Sequence, residues 1–467
     1  MKKIFSKSIQ LVSVIMLFAS CSKDFIEKEP NDSVPEGEAI IDESSMQNAI
    51  SGMYANMRKV GSYGRDIPVI GDVQSDNAFI EIENSGRYLA NYQFNFTAAN
   101  DEYTEMWNEA YSTILRANNV IDADITGDKV PALKAQAYAT RGLMYFKLVN
   151  SYARPYTDDP NADGVPIVLH YDPYVQPARN TVQQVYDQII SDLETGFSMA
   201  EGYTNSVTLS KFAIEGLLAR AYLYMGDNAN ARAAAEDVIN NSEFSLLQPD
   251  KYTDYWESGG IRTDGVETMF EIDVDLINNN GSDDFAGIYA NNYQDIYCTD
   301  ELYNLYSPTD VRSSVLIPSF TKAGSPAVIV YKFPNSSSTQ DRDNIKVIRL
   351  AEVYLIAAEA SLPADEENAR VYLNALAQTR DPGFSGYNSS GNQLLEDIIT
   401  ERRKELAFEG DRFYDLNRLK RTITRESNAA SIPGPLSISY DDYHRVAPIP
   451  LSELQANPNI QQNPGYQ

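Results

Sequence analysis

Residues 210–240 have the sequence SKFAIEGLLARAYLYMGDNANARAAAEDVIN, and this stretch decides the fold. Apolar residues recur every three to four positions up to Met225, Gly226 follows, and residues 229–240 continue with the spacing of a second helix. Glycine can end the first helix because it adopts left-handed backbone angles without a steric cost. The residues that suit close packing of the two helices are Ala219, Tyr222, Ala231, Ala234 and Ala235. The stretch therefore predicts two helices that pack side by side across a tight turn.

The same spacing of apolar residues recurs along most of the chain. Further helices are predicted over residues 42–59, 102–123, 131–153, 182–199, 345–360, 366–379, 394–409 and 413–420. The segments 345–360 and 366–379, both rich in alanine, form a second good pair. Such pairs resemble tetratricopeptide repeats, in which stacked helix–turn–helix units share a continuous core. The predicted fold class is therefore mostly α, with tetratricopeptide-like helix pairs as its scaffold.

Two long segments interrupt the helical pattern, at about residues 61–98 and 244–344. Both are rich in Gly, Asp, Asn and Tyr, and their short polar clusters favour turns and loops. Only a few short strands are expected in them, for example over residues 66–70. Since no stretch has the composition of a domain linker, we expect residues 41–467 to form a single domain. In it the irregular segments fold onto the helical frame.

The N-terminus has the features of a lipoprotein signal. Residues 1–20 combine a basic start with an apolar run that is too short to span a bilayer. The run ends in the LFASC sequence at Cys21, which resembles the bacterial lipobox; an ordinary signal peptide with a chance cysteine is the alternative. Acyl chains on Cys21 would anchor the protein, because each buried methylene adds ~0.8 kcal/mol. Residues 21–40 then form a polar, lipidated tether, similar to the charged export signal of surface lipoproteins in Bacteroides-like bacteria; a flexible leader without a signalling role is the alternative.

Composition argues against several classes of function. The formal net charge is −28, which opposes binding to nucleic acid or to anionic lipid. With Cys298 as the single cysteine after Cys21, a disulfide framework and a CxxC metal or redox site are excluded. Two histidines, His170 and His444, leave little scope for His-rich metal sites or His-based catalysis. No cofactor and no metal are predicted, although scattered Asp and Asn oxygens leave room for a calcium ion.

Several segments together resemble the SusD/RagB family of outer-membrane nutrient-binding lipoproteins. They are CSKDF at 21–25, WNEAYSTILRANN at 107–119, RGLMYFKLVNSYARP at 141–155, GVPIV at 164–168, RLAEVYLIAAEA at 349–360 and ERRKELAFEGDRFYDLNR at 401–418. The resemblance covers nearly the whole chain after the signal. It implies four tetratricopeptide-like helix pairs, glycan ligands and a lipid-anchored position on the outer membrane that faces the cell exterior. It also implies a partner, a TonB-dependent outer-membrane transporter (SusC-like), on which the protein acts as a lid.

The charged motif near the C-terminus has a structural interpretation. Glu401, Arg402, Arg403, Glu405 and Glu409 recur at the spacing of helical neighbours. Such charges can pair along a helix surface for about 0.2–0.5 kcal/mol each. After Gly410, the side chains Arg412 and Asp415 could fix the chain as it leaves this helix. We therefore expect an ion-pair clasp and not a catalytic site, and we expect Trp107 to be a core residue of its helix.

No catalytic constellation is evident. Paired carboxylates occur at Asp158–Asp159, Asp283–Asp284, Glu366–Glu367 and Asp441–Asp442, but nothing fixes two of them across a sugar as glycoside hydrolysis requires. Adjacent acidic residues in an acidic protein are usually solvated. Catalytic motifs such as GxSxG and HExxH, phosphate-binding loops and EF-hand spacing are absent from the sequence. We therefore predict a binding protein and not an enzyme; a hydrolase is the disfavoured reading.

Sugar recognition needs aromatic faces and rigid polar groups. Within the irregular segments, residues 61–96 and 283–306 supply both, and their polar groups include Arg65, Arg87 and Asp295. Loops on a rigid frame are where binding residues usually lie. The predicted ligand-binding residues are Tyr63, Asp72, Asp76, Asn77, Tyr88, Tyr92, Tyr289, Tyr293 and Tyr297. The predicted function is capture of an oligosaccharide at the cell surface and its delivery to the transporter. The alternative is an adaptor on the outer membrane that grips peptide or protein with its helix pairs.

Overall fold

A computed structural model describes residues 39–335, 342–362 and 364–466. The predicted signal peptide, Cys21 and almost all of the predicted tether lie outside the described residues. Residues 336–341, which belong to the second irregular segment, also lie outside them. Within the described ranges, the helices lack the combination of length and apolar character that crossing a membrane requires.

Helices dominate the fold and confirm the predicted class. In chain order they are α1 (Glu43–Met57), α2 (Asp66–Val73), α3 (Leu89–Gln93), α4 (Asp101–Asp122), α5 (Val130–Tyr152), α6 (Val182–Met199), α7 (Lys211–Met225), α8 (Asn228–Asn241), α9 (Tyr252–Glu257), α10 (Phe285–Tyr289), α11 (Asp300–Tyr303), α12 (Leu350–Ala360), α13 (Glu366–Arg380), α14 (Gly391–Glu405), α15 (Arg412–Arg418) and α16 (Leu451–Ala456).

The strands are short and form small antiparallel sheets. They are β1 (Ala78–Ile80), β2 (Thr268–Ile272), β3 (Ile296–Cys298), β4 (Leu316–Phe320), β5 (Pro326–Val330), β6 (Ile345–Arg349), β7 (Ile423–Thr424) and β8 (Ser437–Ile438). One sheet has the strand order β1–β3–β5–β4, and the pairs β2–β6 and β7–β8 form two further sheets. In the larger sheet Ala78 lies opposite Cys298, and Leu316 lies opposite Val330.

Four helix pairs form the scaffold. They are α1 with α4, α5 with α6, α7 with α8, and α12 with α13, and each pair also packs against the next along the chain. At the α7–α8 turn Gly226 adopts a φ of 76°, as the sequence predicts. Ala219, Ala231 and Ala235 are fully buried, so these two helices approach closely. Thr181 caps α6 and forms a capping box with Gln184.

Three predicted elements differ in the structure. The strand expected over residues 66–70 is the start of α2, because the apolar side chains around Pro68 are buried on all sides and carry no period-two pattern. The first five residues of the helix predicted at 345–360 form β6, which pairs with β2, a segment more than 70 residues earlier. The helix predicted at 394–409 stops at Glu405, and the following turn places Phe408 at a φ of 65°.

The two irregular segments meet in the four-stranded sheet. β1 comes from the first segment, whereas β3, β4 and β5 come from the second. Phe79 on β1 stacks on Tyr297 of β3 with ring centroids 5.6 Å apart. Both rings belong to a large apolar cluster that also includes buried residues of the helix pairs, among them Leu218 and Ile356. The sheet therefore brings the loops on either side of it to one region of the scaffold.

The charged motif forms a buried clasp, in which most ion pairs run between elements. Lys404 pairs with Glu401 within α14 at 3.4 Å. The prediction of pairing along a helix surface is wrong for the residues of the motif whose partners lie on other elements, namely Arg402, Arg403, Glu405 and Glu409. Glu405 accepts hydrogen bonds from Arg312, Arg349 and Arg380, and all four side chains are buried. Arg402 donates from Nε to Asp415 Oδ2 at 2.7 Å. The motif faces inward because its partners lie on other elements, which the spacing along one helix cannot reveal. The core position of Trp107 is confirmed.

Candidate functional site

Three of the predicted site residues hold the turn after α14 in place. Asp72 is buried, and it accepts hydrogen bonds from the backbone N–H groups of Phe408 at 3.1 Å and Gly410 at 2.8 Å. Asn77 donates from Nδ2 to Asp72 at 2.9 Å. Burial raises the pKa of Asp72 to about 7, although these hydrogen bonds oppose the shift. Arg412 makes two hydrogen bonds to Asp76, from Nε at 2.7 Å and from Nη2 at 2.8 Å.

Tyr88 is also buried and belongs to a short polar network. Its hydroxyl donates to Asp66, and Arg65 donates from Nε to the same hydroxyl at 2.8 Å. Burial raises the pKa of Asp66 to about 7, against the opposing effect of Arg65. The guanidinium of Arg65 continues outward, where Nη1 donates to Asp283 at 2.6 Å. Tyr88 therefore supports the surface from beneath and does not itself face solvent.

Three further predicted tyrosines pack inside the protein. Tyr63 is buried with its ring 5.7 Å from Lys147 Nζ. Tyr289 contacts Phe285 and Phe408, with ring centroids 5.4 and 5.5 Å apart respectively. Tyr297 is buried against Phe79, as described above. Ligand contact by these three residues stays a prediction, and the roles that the structure gives them are packing roles.

Tyr92 borders a small cavity of about 190 Å³. The guanidinium of Arg425 lies 4.4 Å from the centre of its ring, and its hydroxyl forms a 2.9 Å hydrogen bond with Ser431. Each side-chain nitrogen of Arg425 donates to a backbone carbonyl, of Val73, Ser75 or Tyr92, so the guanidinium is held in place from within the protein. The cavity is lined by Ala78, Phe79, Tyr92, Thr299, Asp300, Pro326 and residues 425–429.

Tyr293 is only partly buried, whereas the other eight predicted site residues are buried. The guanidinium carbon of Arg87 lies 3.7 Å from the centre of its ring, and Arg87 Nη2 donates to its hydroxyl at 2.9 Å. The same nitrogen donates to Asp283 Oδ1 at 3.0 Å. The side chains of Arg87 and Asp283 are 29% and 37% exposed. An aromatic ring, a guanidinium and a carboxylate from both irregular segments thus meet at the surface.

A β-hairpin borders this arrangement. Lys322, in the turn between β4 and β5, donates from Nζ to the carbonyl of Tyr293 and to Asp295 Oδ1, each at 2.9 Å. Ser85 donates from its backbone N–H to Asp295, and Arg87 Nη1 donates to Ser85 Oγ at 3.1 Å. We call the surface formed by Ser85, Arg87, Asp283, Tyr293 and Lys322 the loop face.

An exposed aromatic residue lies on the same hairpin. Phe320, the last residue of β4, is 63% exposed. It lies opposite Pro326 on β5, and Pro326 lines the cavity beside Tyr92. Full burial of a phenylalanine side chain contributes about 1.5–3 kcal/mol, so a ligand that covers part of this ring would gain about half of that. The hairpin therefore connects the loop face with the cavity.

The polar groups of the loop face can bind hydroxyl groups. Asp283 can accept hydrogen bonds, whereas Arg87 and Tyr293 can donate them, and the arginine holds the ring in place by stacking. The prediction that Asp283 is simply solvated is wrong, because two guanidinium groups hold it. Among the described residues no group of three or more His, Cys, Asp or Glu side chains has an arrangement that could hold a metal ion.

Of the residues that form the loop face, only Tyr293 was among the predicted ligand-binding residues. Arg87 and Asp295 lie within the proposed segments, yet the prediction favoured tyrosines because their ring faces suit sugars. Phe320 and Lys322 were missed, although their signal was present. Residues 316–320 and 326–330 are short apolar runs around the turn TKAGS, a pattern that is typical of a β-hairpin.

This chain resembles known proteins over most of its length. A family profile described as "Starch-binding associating with outer membrane" matches residues 24–223, and the SusD family profile matches residues 327–466. A SusD superfamily protein of Bacteroides thetaiotaomicron has a crystal structure that is 31% identical to this chain. The match covers 91% of this chain and 100% of that one, with a TM-score of 0.84. This chain belongs to the SusD/RagB family.

Other SusD/RagB relatives agree with this assignment. "SusD-like protein P2" of Formosa agariphila is 28% identical, and the alignment covers 98% of this chain and all of the relative. A solved structure titled "Laminarin binding SusD-like protein" has a TM-score of 0.72 at 23% identity and covers 91% of this chain and all of that one. At that identity the second match supports the fold alone.

Proposed function

We propose that the protein binds glycans at the cell surface and passes them to a TonB-dependent outer-membrane transporter. The observation that carries the proposal is the contact between Arg87, Tyr293 and Asp283 on the loop face. At a partly exposed position, Tyr293 offers an aromatic ring, Arg87 offers fixed hydrogen-bond donors and Asp283 offers a fixed acceptor. These are the groups that bind a sugar, whereas hydrolysis of a glycan would need a positioned general acid and a base or nucleophile.

Rigidity supports a binding role for the loop face. Arg87 is held by stacking and by hydrogen bonds to Ser85, Asp283 and Tyr293, so little side-chain freedom is lost when a ligand arrives. Hydrogen bonds to charged groups contribute about 1.5–3 kcal/mol each. Two or three such contacts, offset by the cost of ordering the ligand, favour an affinity in the micromolar to millimolar range, about −4 to −8 kcal/mol. Such an affinity permits capture and then release.

The family supports the remaining parts of the proposal. Its profile description includes starch binding and association with the outer membrane, and one structural relative is described as laminarin binding. We propose that acyl chains on Cys21 hold this protein on the outer membrane, facing the cell exterior. We propose further that its partner is a SusC-like transporter and that the protein itself is not an enzyme.

A glycan array with the purified protein tests the binding step. Binding of one polysaccharide class, lost in Arg87→Ala and retained in a variant at an exposed residue elsewhere such as Tyr174→Ala, is the expected result. A blank array from protein that circular dichroism shows to be folded would contradict the proposal, and binding in a parallel peptide screen would favour the adaptor function. Release of reducing sugar from a bound glycan would contradict the assignment as a non-enzyme. Co-purification from native membranes tests the transporter partner.

A further inference from the structure

We propose that the loop face selects uncharged glycans and that Asp283 is the residue that sets this specificity. The inference rests on the proposed function and deepens it by naming the class of sugar. Uronic acids and sulfated sugars carry anionic groups, and proteins commonly bind such groups through arginine or lysine side chains whose charge is not already paired with a carboxylate. The cations on this surface do not meet that condition.

Each cation at or directly beneath the loop face is paired with a carboxylate of the protein. Arg65 contacts Asp283 Oδ1 at 2.6 Å and Asp66 Oδ1 at 3.3 Å. Arg87 contacts the same oxygen of Asp283 at 3.0 Å. Lys322 contacts Asp295 at 2.9 Å and lies 3.9 Å from Glu81. Three cations thus face four carboxylates, and no positive charge is left over for an anionic ligand within the described part of the loop face.

Asp283 occupies the position that an anionic ligand would need. Both guanidinium contacts fall on its Oδ1, and Oδ2 accepts no hydrogen bond from any residue in the ranges 39–335, 342–362 and 364–466. A ligand carboxylate or sulfate that reaches Arg87 must therefore lie beside this negative charge or displace it. A hydroxyl group meets no such opposition, because it can donate to Oδ2 and accept from Arg87.

The charge of the whole protein acts in the same direction. A formal net charge of −28 repels polyanionic chains before they reach the surface, most strongly at low ionic strength. Local pairing and long-range repulsion together favour a neutral sugar. Local ion pairing and long-range repulsion act on any anionic group that is added to a glycan, so the expected selectivity is the same for every neutral glycan backbone.

Matched ligands provide the test. The neutral glycan with the strongest signal on the array is compared with the same glycan after oxidation of its C6 hydroxyl groups to carboxylates, by calorimetry at 20 and 150 mM NaCl. The wild-type protein is expected to bind the oxidised form at least tenfold more weakly, with the larger ratio at low salt. Equal or tighter binding of the oxidised form would overturn the inference and leave the proposed function intact, whereas binding of neither form would remove both.

The variant Asp283→Asn tests the residue itself. It removes the carboxylate charge that Arg65 and Arg87 share while keeping the size of the side chain, so the ratio of the two dissociation constants is expected to fall toward one or to invert. The exposed variant Asp250→Asn removes one negative charge elsewhere and is expected to keep the wild-type ratio. An unchanged ratio in folded Asp283→Asn would overturn the role of this residue. The wild-type comparison tests the selectivity for neutral glycans even if that variant does not fold.

Discussion

Arg220 on α7 and Glu352 on α12 form a buried ion pair that joins two helix pairs of the scaffold. Arg220 Nε donates to Glu352 Oε1 at 2.8 Å, and its Nη2 donates to the second carboxylate oxygen. Arg402 on α14 donates to the same carboxylate at 3.2 Å. One glutamate thus connects three helices that are distant in sequence, which makes it a critical point of the clasp.

Replacing Glu352 by glutamine is expected to destabilise the protein strongly. The change removes the charge that compensates two buried arginines, and loss of one partner from a buried pair costs about 3–5 kcal/mol. The measurement is the free energy of unfolding from urea denaturation followed by circular dichroism. The control is Glu109→Gln, because Glu109 pairs with the exposed Lys59, and such pairs are worth about 0–1 kcal/mol. Similar losses in both variants would show that the buried pair has no special role.

The lowered pKa of Asp76 implies that the stability of the protein depends on this residue in a pH-dependent way. Burial opposes its ionisation, but Arg412 and Arg403 outweigh burial and hold the pKa of Asp76 at about 2. A carboxylate whose pKa is lowered on folding stabilises the folded state above its unfolded pKa, and this contribution disappears as the pH falls toward the folded pKa. We expect Asp76→Asn to lose about 2 kcal/mol of stability at pH 7 relative to the wild-type protein.

The difference between Asp76→Asn and the wild-type protein is expected to shrink between about pH 4 and pH 2. Denaturation curves at pH 7, 5, 4 and 3 measure it. The exposed variant Asp250→Asn provides a reference with little expected change in stability at any of these values. A difference that stays constant down to pH 3 would mean that the arginines act on Asp76 through packing and not through charge.

The helix pairs could be predicted because their signal is local. Spacing of apolar residues, the glycine at position 226 and the cap at Thr181 all lie within a few residues of the element that they define. β6 could not be distinguished from the start of α12, because its partner β2 lies more than 70 residues away. The same limit explains why the clasp was assigned to one helix surface.

For the site, the sequence could indicate the segments but not which side chains face solvent. Tyr289 and Tyr293 are four residues apart and equally suited to sugar binding by type, yet Tyr289 packs on Phe408 while Tyr293 stacks on Arg87. Tyr289 is fully buried and Tyr293 only partly, and the contacts with Phe408 and Arg87 that distinguish them come from segments distant in sequence. Side-chain chemistry alone therefore favoured the tyrosines and did not single out Arg87 and Asp283, the two residues that position Tyr293.

Replacing Tyr293 and replacing Tyr289 by alanine are expected to have different effects, the first on glycan affinity and the second on stability. Tyr293→Ala should weaken binding at least tenfold with little effect on stability, because the ring covers Arg87 at the surface. Tyr289→Ala should instead destabilise the protein by about 3–5 kcal/mol, as does removal of other buried aromatic rings. Calorimetric titration at a temperature where both variants are folded measures the first effect, and urea denaturation measures the second. Normal glycan binding by Tyr293→Ala would contradict the assignment of the loop face.

Phe320 extends the same expectation to the hairpin. An aromatic side chain that is 63% exposed at the end of an edge strand contributes little to stability, so Phe320→Ala should change the free energy of unfolding by less than about 1 kcal/mol. If the ligand covers the hairpin as well as Arg87, the same variant should bind glycan about three- to tenfold more weakly, as expected for loss of about 0.7–1.4 kcal/mol of ring contact. Ile277→Ala, at an exposed apolar residue of a different loop, serves as the matched control. If the wild-type protein and Phe320→Ala bind a short oligosaccharide equally but the variant binds a longer one more weakly, Phe320 lies at the far end of the bound chain. If the variant binds both the short and the long oligosaccharide as tightly as the wild-type protein does, Phe320 is not part of the site.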